Sequence, residues 1–201
     1  MNDMEELKKI IYSFYPKNVN YCSNKYETSY ENLQRKKIIW DKFNNIEFKL
    51  YIKKSLDAIF SRYKVVDWID QEEPKCFEYR ILLHRDQDLL DDDIILISEL
   101  GGRRVDLYLF ISSIGEYYYY FLKETIYNLE TNKWSFSTFL CKDDKVNRSI
   151  KQLKKFLVSN KYKEISSNII NYTINDVETE FKSIGQATIF DCLFTDLISP
   201  Y

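Results

Sequence analysis

Apolar residues along this chain recur first at a helical spacing and then, past about residue 75, at every second position. Leu7, Ile10, Ile11 and Phe14 stand at i, i+3, i+4 and i+7, which predicts an amphipathic helix stopped by Pro16. Tyr26, Tyr30, Leu33 and Trp40 fall on a second helical stripe, interrupted by Lys37. A third helix is expected from about Ile46 to Tyr63, with Phe48, Ile52, Leu56, Ile59, Phe60 and Tyr63 on its apolar face. Phe77, Tyr79, Ile81 and Leu83 then alternate with Glu78, Arg80 and His84, the pattern of a half-buried strand. Ile94 to Ile97 reads as a short central strand. Gly101-Gly102 reads as the turn of a hairpin into Val105, Leu107, Leu109 and Ile111.

Gly115 marks a turn into four consecutive tyrosines, Tyr117 to Tyr120, followed by Phe121 and Leu122. In a strand, Tyr117, Tyr119 and Phe121 line one face and Tyr118, Tyr120 and Leu122 the other. Both faces are aromatic, so the strand is either covered on both sides or uses one face for binding. Residues 129–133 form a further turn, and Trp134, Phe136, Thr138 and Leu140 resume the alternation. Val146, Ile150, Leu153 and Leu157 predict a helix over 144–160, with Asp143 or Asp144 as its cap and Asn160 at its end. Short strands are expected at Ile169–Ile174 and Ala187–Phe194. The whole predicts one α+β domain over 1–201, with 1–64 mainly helical and an antiparallel meander over 75–141. The 144–160 helix and short strands over 168–196 follow. Five to seven strands are expected in all, with the helices packed on the sheet.

Composition narrows the chemistry. Seventeen Tyr and thirteen Phe are many for 201 residues, and Tyr suits half-buried faces and interfaces alike. A net charge of −2 offers no electrostatic footprint for duplex nucleic acid. No apolar stretch approaches the roughly 18 residues of a membrane span, and charged residues fill the first turn where a secretory signal would need an apolar run. Cys22, Cys76, Cys141 and Cys192 are too dispersed for a zinc site and read as reduced thiols of a cytoplasmic protein.

Catalytic signatures are missing. Neither phosphate-binding glycine motif occurs, and neither does a serine nucleophile elbow. His84 is the single histidine; it reads as a general base beside Asp86 or, more plainly, as an exposed strand-end residue. Asp86, Asp88, Asp91, Asp92 and Asp93 make an acidic loop that suits Mg²⁺ or Ca²⁺ but lacks a turning glycine. Asp176, Glu178 and Glu180 share a face if their segment is extended, as an acidic ridge for a basic partner or as a metal site. Arg103-Arg104 is a compact basic spot, and Lys151, Lys154 and Lys155 read as the wet face of the last helix.

The segment from Asp176 to Phe194, with the tyrosine-rich meander, resembles small bacterial immunity proteins encoded beside polymorphic or contact-dependent toxins. The resemblance implies a cytosolic protein that binds one toxin domain tightly and catalyses nothing. The sequence reading is therefore a non-enzymatic inhibitor, with no cofactor and no metal, that contacts a protein partner. Its expected contacts are Glu116, Tyr118, Tyr120 and Glu124 on one sheet face, or Asp176, Glu178 and Glu180. The alternative is a metal-dependent hydrolase or nuclease using Asp91 to Asp93, Glu99 and His84; a self-associating adaptor is a third.

Overall fold

A computed structural model describes residues 3–68, 75–84, 93–138, 143–198 and 200. Four helices come first: α1 (Asp3–Phe14), α2 (Asn24–Glu27), α3 (Tyr30–Phe43) and α4 (Ile46–Ile59). Strands β1 (Lys64–Asp67) and β2 (Cys76–Leu82) follow, then α5 (Ile94–Glu99), β3 (Arg103–Ser112), β4 (Tyr117–Asn128) and β5 (Lys133–Thr138). The chain closes with α6 (Asp144–Ser159), β6 (Lys163–Glu164), α7 (Ser167–Ile170) and α8 (Ile189–Leu193). This is the expected α+β architecture: N-terminal helices, an antiparallel meander and a later helix packed on the sheet.

Helix starts are set by side-chain caps, which satisfy backbone N–H groups that the first turn leaves without partners. Ser29 accepts from Asn32 N at 3.2 Å, Asn45 from Phe48 N at 2.9 Å, and Asp143 from Lys145 N at 2.7 Å. Acidic residues in the first turn of α1 complement the positive end of its dipole.

The sheet runs β1-β2-β3-β4-β5 in sequence order, each neighbour antiparallel. β6, a two-residue strand without a sequence signal, pairs parallel with the start of β4 through Tyr117↔Lys163 and Tyr118↔Glu164. The long β4 thus has β3 along one side, and on the other β6 at its beginning and β5 at its end.

Helices cover both faces. Tyr117, Tyr119 and Phe121 pack with Tyr108 and Phe110, against Leu7 and Ile11 of α1 and Phe190 and Leu193 of α8. Tyr118 and Leu122 pack with Tyr79 and Leu109, against Ile52 and Leu56 of α4 and Ile150, Leu153 and Leu157 of α6. Burial of this kind contributes about 1.5–3 kcal/mol for each large side chain.

Four local expectations differ from what is observed. Ile94–Ile97 is helical, not a strand: Asp93 caps it through Leu96 N at 2.9 Å, and of these four residues only Ile97 is buried. Gly101-Gly102 ends this helix instead of turning a hairpin. Both glycines have positive φ, and Gly102 N donates to Ile97 O at 2.8 Å, closing the last turn before β3. β2 is buried along its whole length, not half-buried. Glu78 and Arg80 tolerate this because they pair at 3.1 Å, with the Arg80 guanidinium 3.7 Å from the Trp68 ring centroid. Neither expected strand forms: Ile169–Ile174 starts in the short helix α7 and Ala187–Phe194 is mostly the helix α8, and between their flanking residues stands a single bridge, Thr173↔Thr188. A Thr188–Asp191 capping box makes α8 helical despite its apolar run.

Candidate functional site

Three members of the tyrosine run are core. Tyr117, Tyr118 and Tyr119 are buried, and Tyr120 is half-buried. Their polar tips are engaged inside the molecule. Tyr117 donates to Glu6 Oε1 at 2.9 Å, and Lys163 Nζ lies at the same distance from that oxygen. Tyr118 donates to Glu164 Oε2 at 3.1 Å, Lys154 donates to Glu164 Oε1 at 3.0 Å, and the Lys154 ammonium stands 5.1 Å from the Tyr120 ring centroid. Burial, and then the adjoining carboxylates, push the Tyr117 and Tyr118 hydroxyls above the usual tyrosine range. Lys163 and Tyr117 hold the Glu6 carboxyl below its ordinary value.

Glu116 is exposed at the start of this strand, whereas half-buried Glu124 near its end pairs with Arg103 and accepts from Ser137 Oγ at 3.3 Å. Tyr118 and Tyr120 lie with the core beneath α4 and α6. The four sheet residues expected at a partner contact therefore do not gather on one open face.

The acidic segment is not a strand: Asp176 lies in a turn, and the residues after it alternate in burial. Val177 and Thr179 are buried, Glu178 is half-buried and Glu180 is exposed. Asp176 anchors the segment: it accepts from the Tyr12 hydroxyl at 2.8 Å and lies 3.6 Å from Lys17 Nζ. Burial and this hydrogen bond push Tyr12 up to about 12. Buried Tyr26 of α2, which accepts from Arg35 of α3, reaches the Glu178 carbonyl at 3.5 Å. Asp191 is engaged in the α8 cap and Asp196 in an ion pair with Lys75.

Asp86, Asp88, Asp91, Asp92 and Cys141 lie outside the described residues. Asp93 is the α5 cap, and Glu99 is the last residue of that helix. His84 is not an exposed strand end: its side chain is buried, with Nδ1 3.4 Å from Asp106 Oδ1, while Arg104 Nε stands 3.2 Å from Asp106 Oδ2. Among the described residues, no group of three His, Cys, Asp or Glu side chains is placed to hold a metal ion. No helix there is long and apolar enough to cross a membrane. Cys22 is an exposed free thiol, and burial raises the thiol pKa of Cys76 and Cys192.

The most exposed aromatic surface lies on α3. An apolar stripe ordinarily marks the buried side of a helix; here it faces out. Its fully buried residues are polar, Asn32 and Arg35, with Ile38, Ile39 and Phe43 packed half-buried against the core. Arg35 donates to Tyr26 OH at 3.1 Å and to Asn32 Oδ1 at 2.8 Å, and its guanidinium lies 4.5 Å from the Tyr15 ring centroid. That anchoring turns Tyr30 (72% exposed), Leu33 (53%) and Trp40 (71%) into solvent. Ile46 and Leu50, at the start of α4, are also exposed. Of the stripe expected from the sequence, Tyr30, Leu33 and Trp40 lie on α3 and face out, whereas Tyr26 belongs to α2 and is buried; the signal for the direction was the pair of polar residues, Asn32 and Arg35, on the opposite side.

The chain matches no protein-family model, and comparisons with curated proteins and with solved structures gave no match.

Proposed function

We propose that this protein is a non-enzymatic binding protein of the inhibitor or immunity type, and that it engages a protein partner through the outward face of α3 and the start of α4. The carrying observation is the exposure of Tyr30, Leu33 and Trp40 along one side of a helix anchored on its other side by buried Asn32 and Arg35. Soluble monomers rarely keep such a stripe wet without a use for it. Tyr and Trp dominate binding energy because they cover much area with few rotatable bonds. A reducing compartment, the cytoplasm, agrees with Cys22, Cys76 and Cys192 being free thiols.

The test is co-expression with the product of the neighbouring gene, read by co-purification and by protection from its toxicity. A complex lost in Leu33→Ser/Trp40→Ser supports the reading. No complex and no protection would sink it, and a complex indifferent to these substitutions would remove α3 as its site. Sedimentation at several concentrations separates a monomer from a self-associating adaptor that covers the stripe with a second copy.

A further inference from the structure

A cleft of about 240 Å³ opens between the turn after α4 and the first half of α6. Three of its lining residues are cationic, Arg62, Lys145 and Arg148, and none is acidic. In a chain of net charge −2 this concentration runs against the overall balance. Among the described residues, Arg62 and Lys145 form no ion pair. Arg148 uses Nε on the Asp144 carbonyl at 3.3 Å, which leaves its two terminal nitrogens unengaged.

Helix electrostatics account for only one of these positions. Arg62, just past the C-terminus of α4, complements that helix's negative end. Lys145 and Arg148, at the beginning of α6, lie near a positive end, where cations are disfavoured. The walls are fixed. Leu56 and Phe60 pack in one cluster with Val146, Ile150 and Leu153, and Ser149 Oγ donates to Ile59 O at 3.2 Å, tying α6 to the end of α4. A bound anion removes the mutual repulsion of the three cations, and two guanidinium groups from two elements match the oxygen geometry of phosphate.

We propose that this cleft binds a small phosphate-bearing ligand, a diphosphate or a phosphate monoester, through Arg62 and Arg148 with Lys145 adding charge. The cleft, about 240 Å³ and open to solvent, has room for one such group and a short substituent. The site lies at the far end of α4 from Ile46 and Leu50 and stands independently of the protein-binding face.

Isothermal titration calorimetry of the full chain at low ionic strength tests it, with inorganic phosphate, inorganic diphosphate and a phosphoserine peptide as probes. One saturable site for diphosphate or phosphate is expected. Arg62→Gln and Arg148→Gln should each weaken it about tenfold or more, the loss of a charge-assisted contact. Lys151→Gln/Lys155→Gln, on the same helix outside the cleft, should leave it unchanged. Both arginines are exposed, so these variants are expected to melt with the unsubstituted chain. Absence of saturable heat with phosphate and diphosphate overturns the proposal, as does affinity unaltered in Arg62→Gln and Arg148→Gln. Binding of the phosphoserine peptide alone overturns the small-ligand assignment.

Discussion

Lys75 and Asp196 meet across the molecule, Nζ to Oδ1 at 2.7 Å, with both side chains buried. The pair ties the residue preceding β2 to the segment after α8, and Asp196 Oδ2 also accepts from Phe181 N at 3.1 Å. Burial opposes the charged carboxylate, but the ammonium and the backbone N–H outweigh it, so the Asp196 carboxyl titrates below its ordinary value. Asp196→Ala leaves Lys75 buried without its counter-charge and should cost about 3–5 kcal/mol in chemical denaturation. The wild-type contribution is fully present above the unfolded carboxyl value of about 3.9 and is lost as pH falls through the lower folded value. Between neutral pH and pH about 3, the stability of an Asp196→Asn variant should therefore fall less steeply than that of the unsubstituted protein.

The tyrosines make the opposite prediction at alkaline pH. Tyr117 and Tyr118 are raised above the usual range and Tyr12 to about 12, so the folded chain holds these protons after the unfolded chain has released them. Their contribution is complete below about pH 10 and declines as pH rises through the folded values. Denaturation midpoints should fall above pH about 10, with phenolate absorbance from these residues developing only as the protein unfolds. Tyr118→Phe, which keeps the packing and leaves Glu164 with Lys154, should cost about 1 kcal/mol. Tyr118→Ala should cost about 3–5 kcal/mol, because it empties a site in the core cluster shared by α4 and α6.

Gly102 admits no side chain. Its φ is +79°, and a Cβ would stand 2.7 Å from Tyr127 O, on a residue whose N–H donates back to Gly102 O at 2.8 Å. Gly102→Ala should destabilise by about 1–3 kcal/mol. Gly101→Ala meets the same positive φ with open space around it and should cost less; paired thermal melts read the difference.

Helix α3 inverts the usual expectation that apolar substitutions damage and polar ones do not. Trp40→Ser should leave stability within about 0.5 kcal/mol, since the ring is in solvent. Arg35→Ala removes the partner of Tyr26 OH and Asn32 Oδ1 in a buried site and should cost about 2 kcal/mol or more. The reverse ranking in urea denaturation would mean that α3 packs with its other face inward.

The same helix shows how far sequence reasoning reaches. For α6, periodicity named all four buried residues, Val146, Ile150, Leu153 and Leu157, and narrowed the cap to Asp143 or Asp144, of which Asp143 is the one. Its polar and apolar sides are cleanly segregated, so a single packing direction is available. For α3 the pattern gave a stripe without a direction: Arg35 and Asn32 mark the inner side, but what buries them, Tyr26 and the Tyr15 ring, comes from other elements. For Asp176, Glu178 and Glu180 the spacing offered a shared face only if the segment were extended, and the turn at Asp176 was not legible in it.

What the sequence determined by itself is the set of local periods: the first and last large helices, the meander of β2 to β5, and the two-faced tyrosine strand. Those follow from side-chain spacing along contiguous residues. Whether Ile94–Ile97 coils or extends, that β2 is covered on both sides, and that three tyrosines of the run are core were decided by tertiary structure. Such outcomes depend on contacts between distant parts of the chain. Tyr15 OH donating to Cys192 O at 2.8 Å spans 177 positions, and Lys163 pairing beside Tyr117 adds a strand of two residues. Burial is the physical reason: a residue's spacing fixes which side it shares with its neighbours, and only the assembled layers fix which side meets water.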